Sequence, residues 1–282
     1  MWTTGKGATV WLVAPALTFL GLFFLIPLAL VLGGSFYEPG TGLTWAAYGQ
    51  VVGDPVAQRA FWRTLRVAGV VTVLAVLLCY PAAYAASRVT SPARRTLLVS
   101  LVILPLMTSP VARTYAWLVV MGRYGLINES LRALQLTSRP VPILYTETAV
   151  VIGLLQLFSP LMMLALMSAF ENVPREVVLA ARSLGASEWQ LFRRVLVPLT
   201  AEGLVVGGTL VFTGSVTAYV TPAVLGGPRQ LLLSTLLYQK ASVTLDWQAA
   251  TVIAVIMLAT TLAASTILRR GATAAVARGR PA

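Results

Sequence analysis

Histidine is absent from this chain, and cysteine occurs once in 282 residues, at Cys79. A single cysteine excludes an intrachain disulfide. Without histidine there is no Cys/His metal site and no nucleophile activated by an imidazole. Acidic residues are scarce as well: there are nine, scattered singly along the chain. An enzyme needs a nucleophile with a base, or a metal cluster, and these residues assemble neither. Charged residues together make up 11%, where a soluble domain carries about a quarter. A secretory signal is lacking too. The first apolar stretch is too long for a signal-peptide core and no cleavage site follows it, so it reads as a retained span. No internal repeat is visible, and the one biased segment is a short Ala/Gly/Arg tail after Arg270.

What fills the chain instead is apolar side chain, at 57% of residues. About 20 such residues cross ~30 Å of hydrocarbon as a helix. Six stretches fit: 8–35 (broken by Pro15 and Pro27), 67–86 (containing Pro81), 97–121 (Pro105 and Pro110), 145–170 (Pro160), 203–225 (Pro222 near its outer end) and 249–268. The expected fold is all-α, a polytopic membrane protein with six transmembrane helices in one domain covering 1–282, its core about 60–270. Cys79 falls in the second span and is expected to pack as a small hydrophobe.

The net charge of +12 is assigned to membrane topology and not to nucleic acid, because the arginines fall between the apolar spans. With the N-terminus inside, one side carries twelve Lys/Arg and the other nine. The short loop 88–95 holds Arg88, Arg94 and Arg95 and no acid, and short loops weigh most in orientation. The opposite side also carries Glu38, Asp54, Glu129 and Asp246. Both termini are therefore expected in the cytoplasm, and with them the loop between the fourth and fifth spans.

That loop, 172–200, reads NVPREVVLAARSLGASEWQLFRRVLVPLT. Asn172 is expected to cap a helix whose first turn holds Pro174, with Glu176 near its positive end. Gly185 is the natural stop after about three turns. Ser187 and Gln190 form an S-x-x-Q capping box for a second short helix. Trp189, Phe192 and Leu196 recur at helical spacing and predict its apolar face, and Pro198 ends the pattern. The expectation is helix, glycine bend, helix, either lying on the membrane surface or docked into a groove of a soluble partner.

These residues resemble the cytoplasmic coupling loop of permease subunits of bacterial ABC importers. The family loop reads approximately Pro-x-x-x-x-Glu-Ala-Ala-x-x-x-Gly-Ala, then Phe and a closing Leu-Pro or Val-Pro. Pro174, Ala180, Ala181, Gly185, Ala186, Phe192 and Pro198 stand at the matching positions, and Leu179 stands where the family has glutamate. The runs RTYAWLVVMGRYGLINESL (113–131) and AYVTPAVLGGP (218–228) are similar to the spermidine/putrescine branch of that family. The resemblance implies a permease that does no chemistry itself. Two ATP-binding subunits would dock on the loop through Pro174, Glu176, Ala180, Ala181, Gly185, Ala186, Phe192 and Pro198. A second homologous permease and a periplasmic binding protein would complete the importer in the bacterial inner membrane, among lipid. ATP and Mg²⁺ would sit on the ATPase, and no cofactor on this chain. The solute would be a small polar one, a polyamine first. An opine, amino-acid derivative, phosphonate or metal is the alternative within the class, and a passive channel the alternative outside it.

Polar groups within spans are costly, and transport paths run near helix breaks. Thr108-Ser109-Pro110 and Arg113 interrupt the third span, and hydroxyls at Thr213, Ser215, Thr217 and Thr221 line the fifth. Arg113 is expected to face water, pair, or lie near an interface. A polycation wants carboxylates and ring faces. The candidates for its path are Tyr115, Trp117, Tyr145, Glu147, Tyr219 and Asp246.

Overall fold

The computed structural model describes residues 6–38 and 42–278. In chain order, α1 (Lys6–Leu20) passes through a π-turn, Gly21–Leu25, into α2 (Ile26–Gly34). A hairpin of two-residue strands follows, β1 (Tyr37–Glu38) antiparallel to β2 (Gly42–Leu43), with Tyr37 opposite Leu43. Then come α3 (Ala46–Gly53), α4 (Pro55–Ser87), α5 (Pro92–Met107), α6 (Pro110–Met121), α7 (Leu126–Ala133) and α8 (Glu147–Glu171). The short helices α9 (Arg175–Ser183) and α10 (Glu188–Leu191) lead through a π-turn, Phe192–Leu196, to α11 (Val197–Leu199) and α12 (Ala201–Thr217). A π-turn at Pro222–Gly226, α13 (Leu233–Tyr238), a π-turn at Gln239–Val243 and α14 (Trp247–Arg278) complete the order.

Among the described residues, four helices are long and apolar enough to cross a membrane: Val13–Gly34, α4, α8 and the Trp247–Gly271 part of α14. Two bent pairs bring the number to six when each pair is taken as one span. One joins α5 to Pro110–Ala133 with a 93° bend, and the other joins Glu188–Leu199 to α12 with a 69° bend. Six spans are what the apolar runs predict, but their shapes differ. Pro81, Pro105 and Pro160 lie inside unbroken helices. The first span is not broken at Pro15 either. Its irregularity is the π-turn just before Pro27, and a second π-turn stands just before Pro198. Widening the turn there moves away the carbonyl that each pyrrolidine ring would strike. The third span does break, at Thr108-Ser109, and the chain turns almost at a right angle. The fifth ends at Thr217, well short of 225. Ala218 is extended, and its carbonyl accepts the Ser234 hydroxyl at 2.6 Å.

The chain divides into two compact units, 1–57 with 237–256, and 58–236 with 257–282. In the first, Phe36 packs edge-on against Trp45 at 4.8 Å and stacks on Tyr48 at 5.1 Å. The Tyr48 hydroxyl meets the buried Ser35 Oγ at 2.8 Å, which fixes the turn after α2 onto α3. Phe36 and Tyr48 are half-buried, and Trp45 is 72% exposed.

In the second unit, Val67, Val71 and Ala75 on α4, Leu154, Met162 and Leu166 on α8, and Val211 on α12 form one buried core. Cys79 is buried in it, its thiol 3.5 Å from the Ser159 carbonyl, as expected of a small hydrophobe. The tightest seam runs between α8 and α12. A Cβ on Gly203 would lie 2.4 Å from Ala169 Cβ and 2.9 Å from the Ala165 carbonyl oxygen. One on Gly207 would lie 2.6 Å from Met162 Sδ. The spacing G203-L-V-V-G207 is the small-xxx-small pattern by which helices approach closely in lipid, where apolar burial gives no drive.

Gly203→Ala is accordingly expected to cost about 1–3 kcal/mol through overpacking and to lower the thermal unfolding temperature of the detergent-solubilised protein. Gly69→Ala on α4, which has open space around it, serves as the control and should not. Equal melting of the two variants would show that the seam yields.

Candidate functional site

The loop 172–200 forms the helix–bend–helix expected, with corrections at its start and face. Asn172 does not begin α9; it closes α8, donating its side-chain amide to the Ser168 carbonyl at 3.1 Å. Pro174 is the residue before the first helical turn, extended at φ −62° and ψ 132°. Proline holds its predecessor Val173 out of the helical region, and with Pro174 itself extended the helix starts at Arg175. Glu176 sits in the first turn and is exposed.

The bend is a complete Schellman closure. Ala186 N–H donates to the Ala181 carbonyl at 3.1 Å, and Gly185 N–H donates to Arg182 at 2.9 Å. Gly185 has φ +81°, where an L side chain is strained. Nothing lies within 4 Å of where its Cβ would be. The glycine is required by backbone conformation, then, and not by a crowded neighbour. On the far side, Ser187 Oγ accepts from Gln190 N–H at 3.3 Å and Gln190 Oε1 accepts from Ser187 N–H at 2.9 Å, the reciprocal box read from the sequence. An Arg182–Glu188 ion pair of 2.8 Å spans the turn.

The apolar face of the second helix is not the one the α-helical period gives. Trp189 points outward and is 66% exposed, while Leu191 and Leu196 are buried. The π-turn at Phe192–Leu196 changes the phase, so that residues five apart share a face. Phe192 is half-buried. Its ring stacks on Trp189 at 5.5 Å and stands edge-on to Tyr80 of α4 at 5.3 Å. The helical run ends at Leu199, one residue beyond Pro198, which is half-buried.

Tyr80 is the anchor that the sequence did not reveal. Besides Phe192 it meets Phe170, at the end of α8, at 5.1 Å, and its hydroxyl shares a hydrogen bond of 2.9 Å with Thr200, at the start of α12. Both roots of the loop are thereby tied to α4. In α9, Val178 is buried and Ala181 half-buried against the core, while Glu176, Ala180 and the C-cap residue Leu184 are exposed. Leu184 is 88% exposed. Together with Trp189 it leaves an apolar tip beside Gly185, and Ala186 lies half-buried behind it.

The residues named for a solute path are dispersed. Tyr115 on α6 is exposed. Trp117 is half-buried, its indole N–H 3.3 Å from Gln156 Oε1 on α8. Tyr145 does not begin a helix. It takes φ +63°, donates its N–H to the Leu225 carbonyl at 2.8 Å, and lays its ring against Gly227. Trp117 packs against the cluster that contains Leu225, so these two residues converge there. Glu147 is not a free acid: Arg66 of α4 grips both its oxygens, one at 2.8 Å. Asp246, in the first unit, pairs with Lys240 at 3.3 Å and caps α14 by accepting from Ala249 N–H at 3.1 Å. Tyr219 is half-buried in the break after α12.

The hydroxyls of the fifth span mostly bond within their own helix. Ser215 donates to Val211 at 2.7 Å and Thr217 to Thr213 at 2.9 Å, whereas Thr221 meets Thr114 of α6 at 3.0 Å. Arg113 is partly buried, and its Nε and Nη1 have no hydrogen-bond partner among the described residues. Asn128 on α7 is a buried clamp. Its amide donates to the Gly122 and Val141 carbonyls, both at 3.1 Å, and accepts from Val141 N–H at 2.8 Å.

Residues 79–278 match the family described as binding-protein-dependent transport system inner membrane component. The spermidine/putrescine transport system permease protein PotB of Haemophilus influenzae is 35% identical over 249 residues, covering 83% of this chain and 84% of that protein. PotB of Escherichia coli is 29% identical over 81% of this chain and 84% of that protein. The molybdenum transport permease ModB of Mycobacterium bovis is 30% identical over 68% of this chain and 70% of that one. Among solved structures, a bacterial alginate ABC transporter in complex with its alginate pentasaccharide-bound periplasmic protein aligns over 95% of this chain and 96% of the other. The TM-score is 0.79 at 15% identity, a likeness of fold.

Gly185→Val is expected to cost about 1–2 kcal/mol through the left-handed backbone and to open the bend, read as faster protease cleavage at 184–187. Gly185→Asn, which tolerates that conformation, should be cleaved like the parent. Equal cleavage of all three would mean that the bend does not depend on positive φ.

Proposed function

The chain belongs to the binding-protein-dependent transport system inner membrane component family, and from that premise we propose that this ABC importer permease carries a polyamine of the spermidine/putrescine kind. It is a multi-pass inner-membrane transport subunit. The observation that carries the solute is the 35% identity to a spermidine/putrescine permease over 83% of the chain. The ModB likeness keeps another small solute as the second reading.

The loop geometry supports a coupling role. ATPase subunits would grip the outward face of α9 and the apolar tip formed by Leu184 and Trp189, with Pro174, Glu176, Ala180, Ala181, Gly185, Ala186, Phe192 and Pro198 shaping that element. Because Tyr80 ties both roots of the loop to α4, a pull on the loop would move α4, α8 and α12 together. The partners are two ATP-binding subunits, a second homologous permease and a periplasmic binding protein. ATP and Mg²⁺ belong to the ATPase. Both termini and the loop lie on the cytoplasmic side, consistent with the arginines at 88–95 and 175–194.

Along the path, Tyr115, Trp117, Tyr145 and Tyr219 offer ring faces. Glu147 and Asp246 are held by Arg66 and Lys240. A polyamine's ammonium groups would therefore meet these acids by exchanging with a side-chain cation, which keeps the local charge balanced and the binding weak.

The transporter purified from its own membrane and placed in proteoliposomes with its binding protein should take up spermidine or putrescine only when ATP is supplied. Gly185→Val should abolish this uptake while the protein still inserts. Flux without ATP would overturn the importer reading. ATP-driven uptake of molybdate in place of polyamine would overturn the solute.

A further inference from the structure

The ends of three membrane helices and α9 enclose a cavity of about 500 Å³ whose charge is unbalanced. Arg88 follows α4, Arg95 lies in the first turn of α5, and Arg175 and Arg182 stand at the two ends of α9. Among the described residues, the one acid in the wall is Glu171, the last residue of α8, and it pairs with Arg95. Arg182 pairs with Glu188, outside the wall. Arg88 has a phenol for a partner, its Nη2 2.6 Å from Tyr84 Oη and its guanidinium 4.8 Å from that ring's centroid, and it pairs with no carboxylate among the described residues. Arg175 makes no ion pair among the described residues. Two guanidinium groups thus face one cavity without a counter-charge. Leu179 lines the same wall, so the position where the family loop carries an acid adds no negative charge here.

The rest of the wall is apolar, with Phe170, Val178 and Leu196 among its residues. This mixture selects among anions. Free phosphate is fully hydrated and gains nothing from the apolar side. A phosphodiester joined to a glycerol and acyl chains puts its oxyanion on the arginine forks and its carbon skeleton on the apolar wall. The cavity also opens where α4, α5 and α8 end, the depth at which lipid headgroups lie, and basic pockets between transmembrane helices bind them.

We propose that this cavity binds the headgroup of an anionic phospholipid, with Arg88 and Arg175 as its principal partners. The lipid neutralises both guanidinium groups and bridges the turn between α4 and α5 to the start of α9. Lipid binding follows from membrane residence alone. An influence on ATPase coupling would follow only if the loop couples as proposed above, so the two are tested apart.

The test is native mass spectrometry of the purified transporter carrying the full chain, stripped of lipid and titrated with phosphatidylglycerol or with phosphatidylcholine of the same acyl chains. Phosphatidylglycerol should be preferred. Arg88→Gln with Arg175→Gln should weaken its binding on the order of 30-fold, given the usual worth of two arginines near a membrane surface. Arg193→Gln with Arg194→Gln, an equal loss of charge outside the cavity, should leave it unchanged. Leu179→Glu, which adds a carboxylate to the wall and removes no arginine, should weaken it too. If the double variant fails to fold, Arg175→Gln alone decides, since that side chain has no intramolecular ion pair to lose. Equal retention of the two lipids, or equal retention by parent and cavity variants, would overturn the proposal. Displacement of phosphatidylglycerol by excess inorganic phosphate would also overturn it and name a small anion as the ligand.

Discussion

The close seam between α8 and α12 is the constraint on which the rest of the second unit depends. Gly203 and Gly207 let the two backbones approach until a single added methyl would collide with Ala169, Ala165 or Met162. In lipid, apolar side chains gain little by leaving one hydrocarbon for another, so packing of this kind supplies the association. The loop 172–200 is the connection between these two helices. Its roots are therefore brought together by the seam, and the short helices it carries inherit a fixed base.

A fixed base alone would leave the loop free to flap. Two features prevent that. At the roots, Tyr80 joins the end of α8 and the start of α12 to α4 through one ring contact and one hydroxyl. At the tip, the Schellman closure around Gly185 and the reciprocal cap of Ser187 and Gln190 satisfy backbone groups that helix ends otherwise leave open. The result is a braced projection whose exposed apolar side chains include Leu184 and Trp189 at the bend, with Val177 and Leu179 on α9. Stiffness from seam to tip is what a lever needs, because energy stored in bending is not delivered at the other end.

Charge shows how far the fold reworks what composition suggests. The chain has few acids, and Glu147, Glu171, Glu188 and Asp246 are all engaged by cations. The carboxylates that a polycation would seek are neutralised in place, and excess positive charge remains at Arg88 and Arg175.

The sequence by itself determined the fold class and the number of spans, since 20-residue apolar runs leave the backbone no alternative to helix in lipid. It also determined the bend at Gly185 and the cap at Ser187, because these are local: glycine's φ and a serine three residues from a glutamine need no distant partner. The Gly203–Gly207 spacing was open to reading on the same terms. Tertiary structure decided the rest. Of the residues that helical periodicity puts on the apolar face, Leu196 is buried and Phe192 half-buried, but Trp189 is exposed and Leu191 is buried in its place, around the π-turn at Phe192–Leu196. The early end at Thr217 is met from 16 residues away, where the Ser234 hydroxyl donates to the Ala218 carbonyl. The pairing of Glu147 with Arg66, 81 residues apart, and the gathering of four arginines around one cavity, arise only when helices distant in sequence end at the same place. A linear chain holds the charges but not their neighbours.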